Sequence, residues 1–356
     1  ADGELDYDPT RTSLAGNAEQ LRFAKLGGGL LRFETSYQRI SPGFEANDLG
    51  FLRRADWQSQ ATWGSLQFNK PGPFFRHLYW NVNEELQWTV AGLPLDRWVN
   101  TNVHVNLPNN WWFHLGGSLG GLGTVYCDRC ARGGPAVRTD EYFAPWSGIM
   151  GDTRWVVVPS LWFNGWRADG GRSYAVSLSP SVDFRVSSRL TASLGFNFSK
   201  NTDDRQWYGN PVDAASVTHY TFAHLEQRTT SLQTRLNFTA TPNLTLQAYA
   251  EPFVSKGDYS NVRELNNPRA ASYDARFKPY PAAGEPAGFN FKQFRSNVVL
   301  RWEYRPGSAL YLVWQQGRAD SEQERGTRTL FGDFDRLFGA HPSNTFLVKL
   351  SYWLDR

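Results

Sequence analysis

Apolar and polar residues alternate along most of this chain. Tyr174, Val176, Leu178, Val182 and Phe184 are interleaved with Ser173, Ser177, Ser179, Asp183 and Arg185. Leu190, Leu194, Phe196 and Phe198 alternate with Thr191, Ser193, Asn197 and Ser199, and Val99, Val103 and Val105 with Asn100, Asn102, His104 and Asn106. Successive side chains of a strand point to opposite faces, so a period of two gives each segment one apolar and one polar face. No long amphipathic helix is predicted. The pattern gives an all-β protein of about 14 strands, at 20–40, 54–69, 74–90, 95–107, 110–120, 138–148, 153–167, 173–186, 189–200, 218–240, 244–256, 293–305, 308–319 and 344–355.

The connections sort by length. Taken in chain order, odd ones include the long segments 41–53, 121–137, 201–217, 257–292 and 320–342. Even ones are tight and rich in turn formers, as at Ser187-Ser188-Arg189, Thr241-Pro242-Asn243 and Arg305-Pro306-Gly307. In an up-and-down sheet, odd and even connections lie at opposite ends. Long loops at one end, short turns at the other and an even strand number predict a transmembrane antiparallel up-and-down β-barrel, with extracellular loops and periplasmic turns. Backbone groups in hydrocarbon need internal partners, so such a sheet is expected to close on itself. Residues 20–356 form the barrel in this reading. Residues 1–19 form a periplasmic lead-in or linker, because Ala1-Asp2-Gly3-Glu4 is polar and lacks the apolar stretch of a secretion leader.

Composition narrows the alternatives. With 24 Phe, 15 Trp and 15 Tyr, disorder is excluded, since so many rings cannot stay solvated. Rings gather near strand ends, including Trp98, Trp111, Trp112, Trp302, Tyr304, Tyr352 and Trp353, as aromatic girdles at the outer-membrane lipid interface would. A net charge of +3 gives no basic face for a nucleic-acid partner. On the polar face, Arg295, Arg301 and Glu303 belong to a mixed-sign set that forms either a wet, ion-paired wall or a solute-selecting ring.

Candidate chemistry is sparse. His104 and His114 fall on the polar face of adjacent strands, and a three-residue turn at 108–110 sets them opposite one another. With Ser118 further along, they are the best hydrolase candidates, against plain hydrogen bonding. Cys127 and Cys130 form a lone Cys-x-x-Cys. Zinc would need a second pair, so a loop disulfide is expected and no metal or cofactor is assigned. Trp207, Tyr208 and Tyr259 in the predicted loops are candidates for stacking on sugars.

The run Ser41-Pro42-Gly43-Phe44-Glu45-Ala46-Asn47-Asp48-Leu49-Gly50-Phe51, together with Arg132-Gly133-Gly134-Pro135 and the ending Phe346–Leu354, resembles an outer-membrane family known as domain of unknown function 5916. That resemblance implies a C-terminal barrel following a β-sandwich similar to family-9 carbohydrate-binding modules, and it brings no catalytic residues. The ending also resembles the final strand that the barrel assembly machinery recognises. Three functions follow as expectations: a channel or gated conduit for solutes, glycan-related ones among them, a surface anchor or glycan-binding platform, and an outer-membrane hydrolase.

Overall fold

A computed structural model describes residues 8, 10–48, 50–281, 286–323 and 329–354. Much of the lead-in, Leu49 of the Ser41–Phe51 motif and parts of two long loops lie outside the described residues. In chain order come β1 (Ala18–Lys25), β2 (Leu31–Ile40), β3 (Trp57–Phe68), β4 (His77–Trp88), β5 (Pro94–Asn106) and β6 (Trp112–Gly120). Then follow β7 (Val125–Cys127), β8 (Val137–Thr139), β9 (Tyr142–Met150), β10 (Val157–Ala168), β11 (Ser173–Arg185) and β12 (Leu190–Gly209). The last part holds β13 (Thr221–Thr241), β14 (Leu244–Leu265), β15 (Phe277–Pro279), β16 (Phe289–Arg305), β17 (Ser308–Glu322), α1 (Leu330–Gly339) and β18 (Ser343–Ser351).

Every pairing is antiparallel. Except for β7 and β8, which form their own ribbon, the strands make one sixteen-stranded sheet. Because β15 pairs only β14, fifteen strands follow one another in a single meander from β1 to β18. The predicted strand 20–40 is two strands. Gly28 and Gly29, both at φ 70°, turn the chain between β1 and β2, a backbone shape that suits glycine.

That division makes the path odd, not even. In an alternating meander of fifteen strands, β1 and β18 run in the same direction, so antiparallel bonds cannot join them. β2 has the right direction, but β1 already occupies its edge. The sheet therefore ends in two free edges among the described residues. Residues 10–17 reach β1 at the loop end, rather than at the turn end that a periplasmic lead-in implies. There Asn17 bonds Ser41 backbone-to-backbone and through Oγ, at 3.0 and 2.8 Å.

Alternation holds in register across the sheet. On one face lie Leu66, Trp80, Val103, Leu115, Ser147, Phe163, Leu178 and Phe198, each paired with the next. At the far side Leu236, Ala248, Val298, Trp314 and Phe346 continue the apolar face. On the opposite face run Asn81, Asn102, Gly116, Trp146, Asn164, Ser177, Ser199, Thr229 and Ser255. The apolar side chains stay open, with Leu115 at 67% and Phe346 at 73% exposure.

β12, β13 and β14 extend 20 to 22 residues; β13 matches its predicted 218–240 closely, whereas β12 and β14 run well past their predicted ends at 200 and 256. Their extra length belongs to a compact structure at the loop end. There Ala131, Val137, Phe222, Tyr273 and Phe277 form a buried cluster, packed on by Cys130, Trp207, Tyr220 and Leu265. Helix α1 stands where only loop was expected. Thr329 caps it by accepting from Gly332 N–H at 3.2 Å. Its buried Asp333 accepts from Lys256 Nζ at 3.1 Å and Asn290 Nδ2 at 2.8 Å, and Phe338 meets Phe294 of β16 at 5.3 Å.

Candidate functional site

Two regions concentrate polar chemistry: the polar face of β4–β10 and the loop-end cap. On the polar face, His104 and His114 are register partners, with their Nδ1 atoms 2.7 Å apart. One nitrogen must donate while the other accepts. Ser118 lies four residues further along β6, about 13 Å from His114 at the usual strand rise. Its Oγ accepts from Asn100 Nδ2 at 2.9 Å, so no nucleophile–base contact joins Ser118 to either histidine.

The histidines belong instead to a group of rings. Trp112 lies parallel to His114 at 5.8 Å, and Tyr79 stacks on Trp112 at 6.1 Å. Trp162 stacks on His114 at 5.1 Å, Trp146 follows Trp162 at 6.4 Å, and His104 meets Trp146 at 5.8 Å. Trp112 is thus a polar-face residue, not part of a lipid-facing girdle. Glycines make room for the indoles. A Cβ on Gly116 would come within 2.6 Å of Trp146, and one on Gly148 within 2.5 Å of Trp162. Beside the rings runs an amide chain in which Asn81 donates to Asn102, Asn102 to Asn100, and Asn100 to Ser118.

Charges sit across the sheet. Arg301 Nη2 donates to Glu303 Oε2 at 2.6 Å near the β16–β17 turn, while Arg295 pairs in register with Glu251. The two walls therefore differ in kind. The polar face from β4 to β10 is amide, hydroxyl, imidazole and indole over Tyr79–Asn83, Asn100–Asn106, Trp112–Ser118, Ala144–Met150 and Ser160–Asn164. The β13–β17 face carries Arg235, Glu251, Arg295, Arg301 and Glu303.

The cap ties distant loops together. Arg54 grips Asp128 with two bonds, at 3.2 and 2.6 Å, linking the β2–β3 loop to the segment after β6. Cys127 and Cys130 are joined by a disulfide in that segment. Arg276, wholly buried, donates to Asp140 Oδ1 at 2.6 Å and to the carbonyls of Arg138, Ala270 and Ala271. Asp204 accepts from Tyr273 Oη and His224 Nδ1, both at 2.8 Å, and from Arg263 Nη2 at 3.1 Å. Burial pushes the Asp204 carboxyl up, but the His224 and Tyr273 hydrogen bonds and the Arg263 charge together hold it below its ordinary value. His219 hydrogen-bonds Glu264 through Nδ1 and Asp213 through Nε2. The Glu264 bond first, then the Asp213 bond, raise the imidazole above its usual value.

The loop aromatics expected to stack on sugars are engaged within the cap. Arg132 lies 3.8 Å over the Trp207 ring, and Trp207 Nε1 donates to Asn210 at 2.9 Å. Tyr208 packs edge-on against Tyr259 at 5.3 Å. Among the described residues no group of three His, Cys, Asp or Glu gathers to hold a metal ion. Sequence reasoning missed Trp112, Trp146 and Trp162 as partners of the histidines, although their shared parity was a usable signal. It also missed Asp204, Arg263 and Arg276, whose partners are far away in the chain.

Fold and site define an antiparallel meander with one open apolar face, one polar face and a loop cap at one end. The family described as "Domain of unknown function (DUF5916)" matches residues 4–356, and the chain belongs to it. No curated protein and no solved structure matches the chain.

Proposed function

We propose that the chain is an integral outer-membrane β-barrel that conducts solutes, with the loop cap as its gate. The observation behind this reading is the pair of adjacent rows across the sheet, one of exposed Leu, Val, Trp and Phe, the other of Asn, Ser and Thr. Exposed apolar area of this extent needs lipid or a partner to cover it. In lipid the two free edges must also be paired. A parallel β1–β18 junction completes the ring. Release of β1 followed by antiparallel β2–β18 pairing does so equally.

A ring of this strand number encloses more space than side chains alone fill. The polar rows then line a lumen, and the cap, tied by Arg54–Asp128, Arg276–Asp140 and Arg263–Asp204, covers its loop-end mouth. The test is reconstitution of the folded chain in planar bilayers. Discrete conductance steps are expected, enlarged when Arg276→Ala and Asp204→Ala loosen the cap. A sealed, non-conducting barrel in both forms refutes the conduit. A chain that stays monomeric and soluble without detergent refutes the membrane assignment itself.

A further inference from the structure

We infer that the β4–β10 polar wall is a binding track for a neutral linear oligosaccharide. The inference rests on the lumenal reading of the polar face and adds the class of solute. Three features carry it. Tyr79, Trp112, His114 and Trp162 follow one another at 6.1, 5.8 and 5.1 Å between ring centroids, a run of aromatic surface and not an isolated ring. All four residues are only half-buried on the polar face.

The second feature is the amide and hydroxyl chain beside the rings. Asn81, Asn102, Asn100 and Ser118 are linked at 2.6 to 2.9 Å, and an amide has more donors and acceptors than these bonds use. The third is charge. No Asp, Glu, Lys or Arg lies on this wall over the stretches given above, and Glu85 and Asp96 share its face only beyond them, towards the loop end, whereas the β13–β17 wall carries several charges along its length. A saccharide ring offers apolar C–H faces and hydroxyl edges without charge. Aromatic surface flanked by a few neutral hydrogen-bonding groups matches both. An ionic solute would gain little from this neutral stretch and would be drawn to the charged one. Gly116 and Gly148, by admitting Trp146 and Trp162 close to the backbone, keep the indoles low so that the track is not obstructed.

The experiment uses the folded full chain in detergent, with maltohexaose, cellohexaose and chitohexaose as neutral probes and hexagalacturonate as the charged one. Binding is read by tryptophan fluorescence and calorimetry. At least one neutral probe is expected to bind. Trp112→Ala and Trp162→Ala should each weaken it about tenfold, the loss typical of a truncated central contact. Trp162→Phe should weaken it less, and Trp302→Phe, on the apolar face, should not weaken it. Heat-modifiable gel mobility checks that each variant is folded. The track is overturned if no neutral probe binds at millimolar concentration, if hexagalacturonate binds better, or if the folded Trp162→Ala protein binds like wild type.

Bilayer recordings separate this outcome from the conduit. A conducting barrel whose current no neutral hexasaccharide blocks overturns the track and leaves the conduit standing. Tight saccharide binding by a barrel that never conducts does the reverse.

Discussion

Replacing Leu178 by arginine tests the proposal that the apolar face meets lipid. Leu178 lies one residue from Ser179, the midpoint of β11, and is 44% exposed on the apolar face between Phe163 and Phe198. A strand rises about 3.4 Å per residue and a barrel strand tilts by roughly 40°, so each residue spans about 2.6 Å of depth. In the proposed barrel, with the middle of β11 at the bilayer midplane, Leu178 falls about 3 Å from that plane, where an arginine costs about 2–4 kcal/mol. Phe184, on the same face but five residues from the midpoint, falls about 13 Å away, at the border of an apolar band about 25 Å tall. There the same substitution should cost only about 0–1 kcal/mol. Ser177, next to Leu178 on the polar face, should accept arginine within about 0.5 kcal/mol. The assay is reversible urea unfolding from lipid vesicles, followed by tryptophan fluorescence. Equal costs at Leu178 and Phe184 would contradict a bilayer-shaped dependence on depth. A benign Leu178→Arg beside a damaging Ser177→Arg would mean that the faces have been assigned backwards.

Further outcomes are expected elsewhere. Gly148→Val should destabilise by about 1–3 kcal/mol, because its Cβ meets Trp162 at 2.5 Å. Gly195→Ala, whose nearest neighbour is Ser181 Cβ at 3.7 Å, should be neutral, and the same unfolding assay compares the two. Asp204→Asn leaves three donors competing for one carbonyl oxygen and should lower the opening free energy of the cap by about 1–3 kcal/mol, read by hydrogen exchange over 260–277. His219 is raised by Glu264 and Asp213, so its tie is fully present below the ordinary histidine value of about 6.5 and is lost as pH rises through the raised one. Exchange over 211–219, corrected for intrinsic rates, should accelerate above neutral pH, and His219→Gln should abolish that extra dependence.

Period-two alternation is local, so the strands, their faces and the sorting of loops by length were legible in the sequence. The His104–His114 pairing was legible too, because a short turn fixes the register on either side of it. The break between β1 and β2 was hidden because Leu26 and Leu30 keep the segment apolar. Only the positive φ at Gly28 and Gly29, invisible in the pattern, makes the turn. The outer part of β12 gave no strand signal, since Asn201-Thr202-Asp203-Asp204-Arg205 serves a buried polar network and has no apolar face to show. The cap was illegible for a different reason: Arg276 finds Asp140 across 136 positions, and no local pattern encodes such a partner.

Those long sequence separations set a timetable for biogenesis. Arg276 reaches the carbonyls of Ala270 and Ala271 within its own loop, but Asp140 and Arg138 lie 136 and 138 positions away, and closing so large a loop is slow relative to zipping neighbouring hairpins. The cap is therefore expected to mature late, and the proposed barrel would pass through an interval with its mouth uncovered. In the proposed conduit, solutes would then pass unchecked until Arg276 has locked onto Asp140.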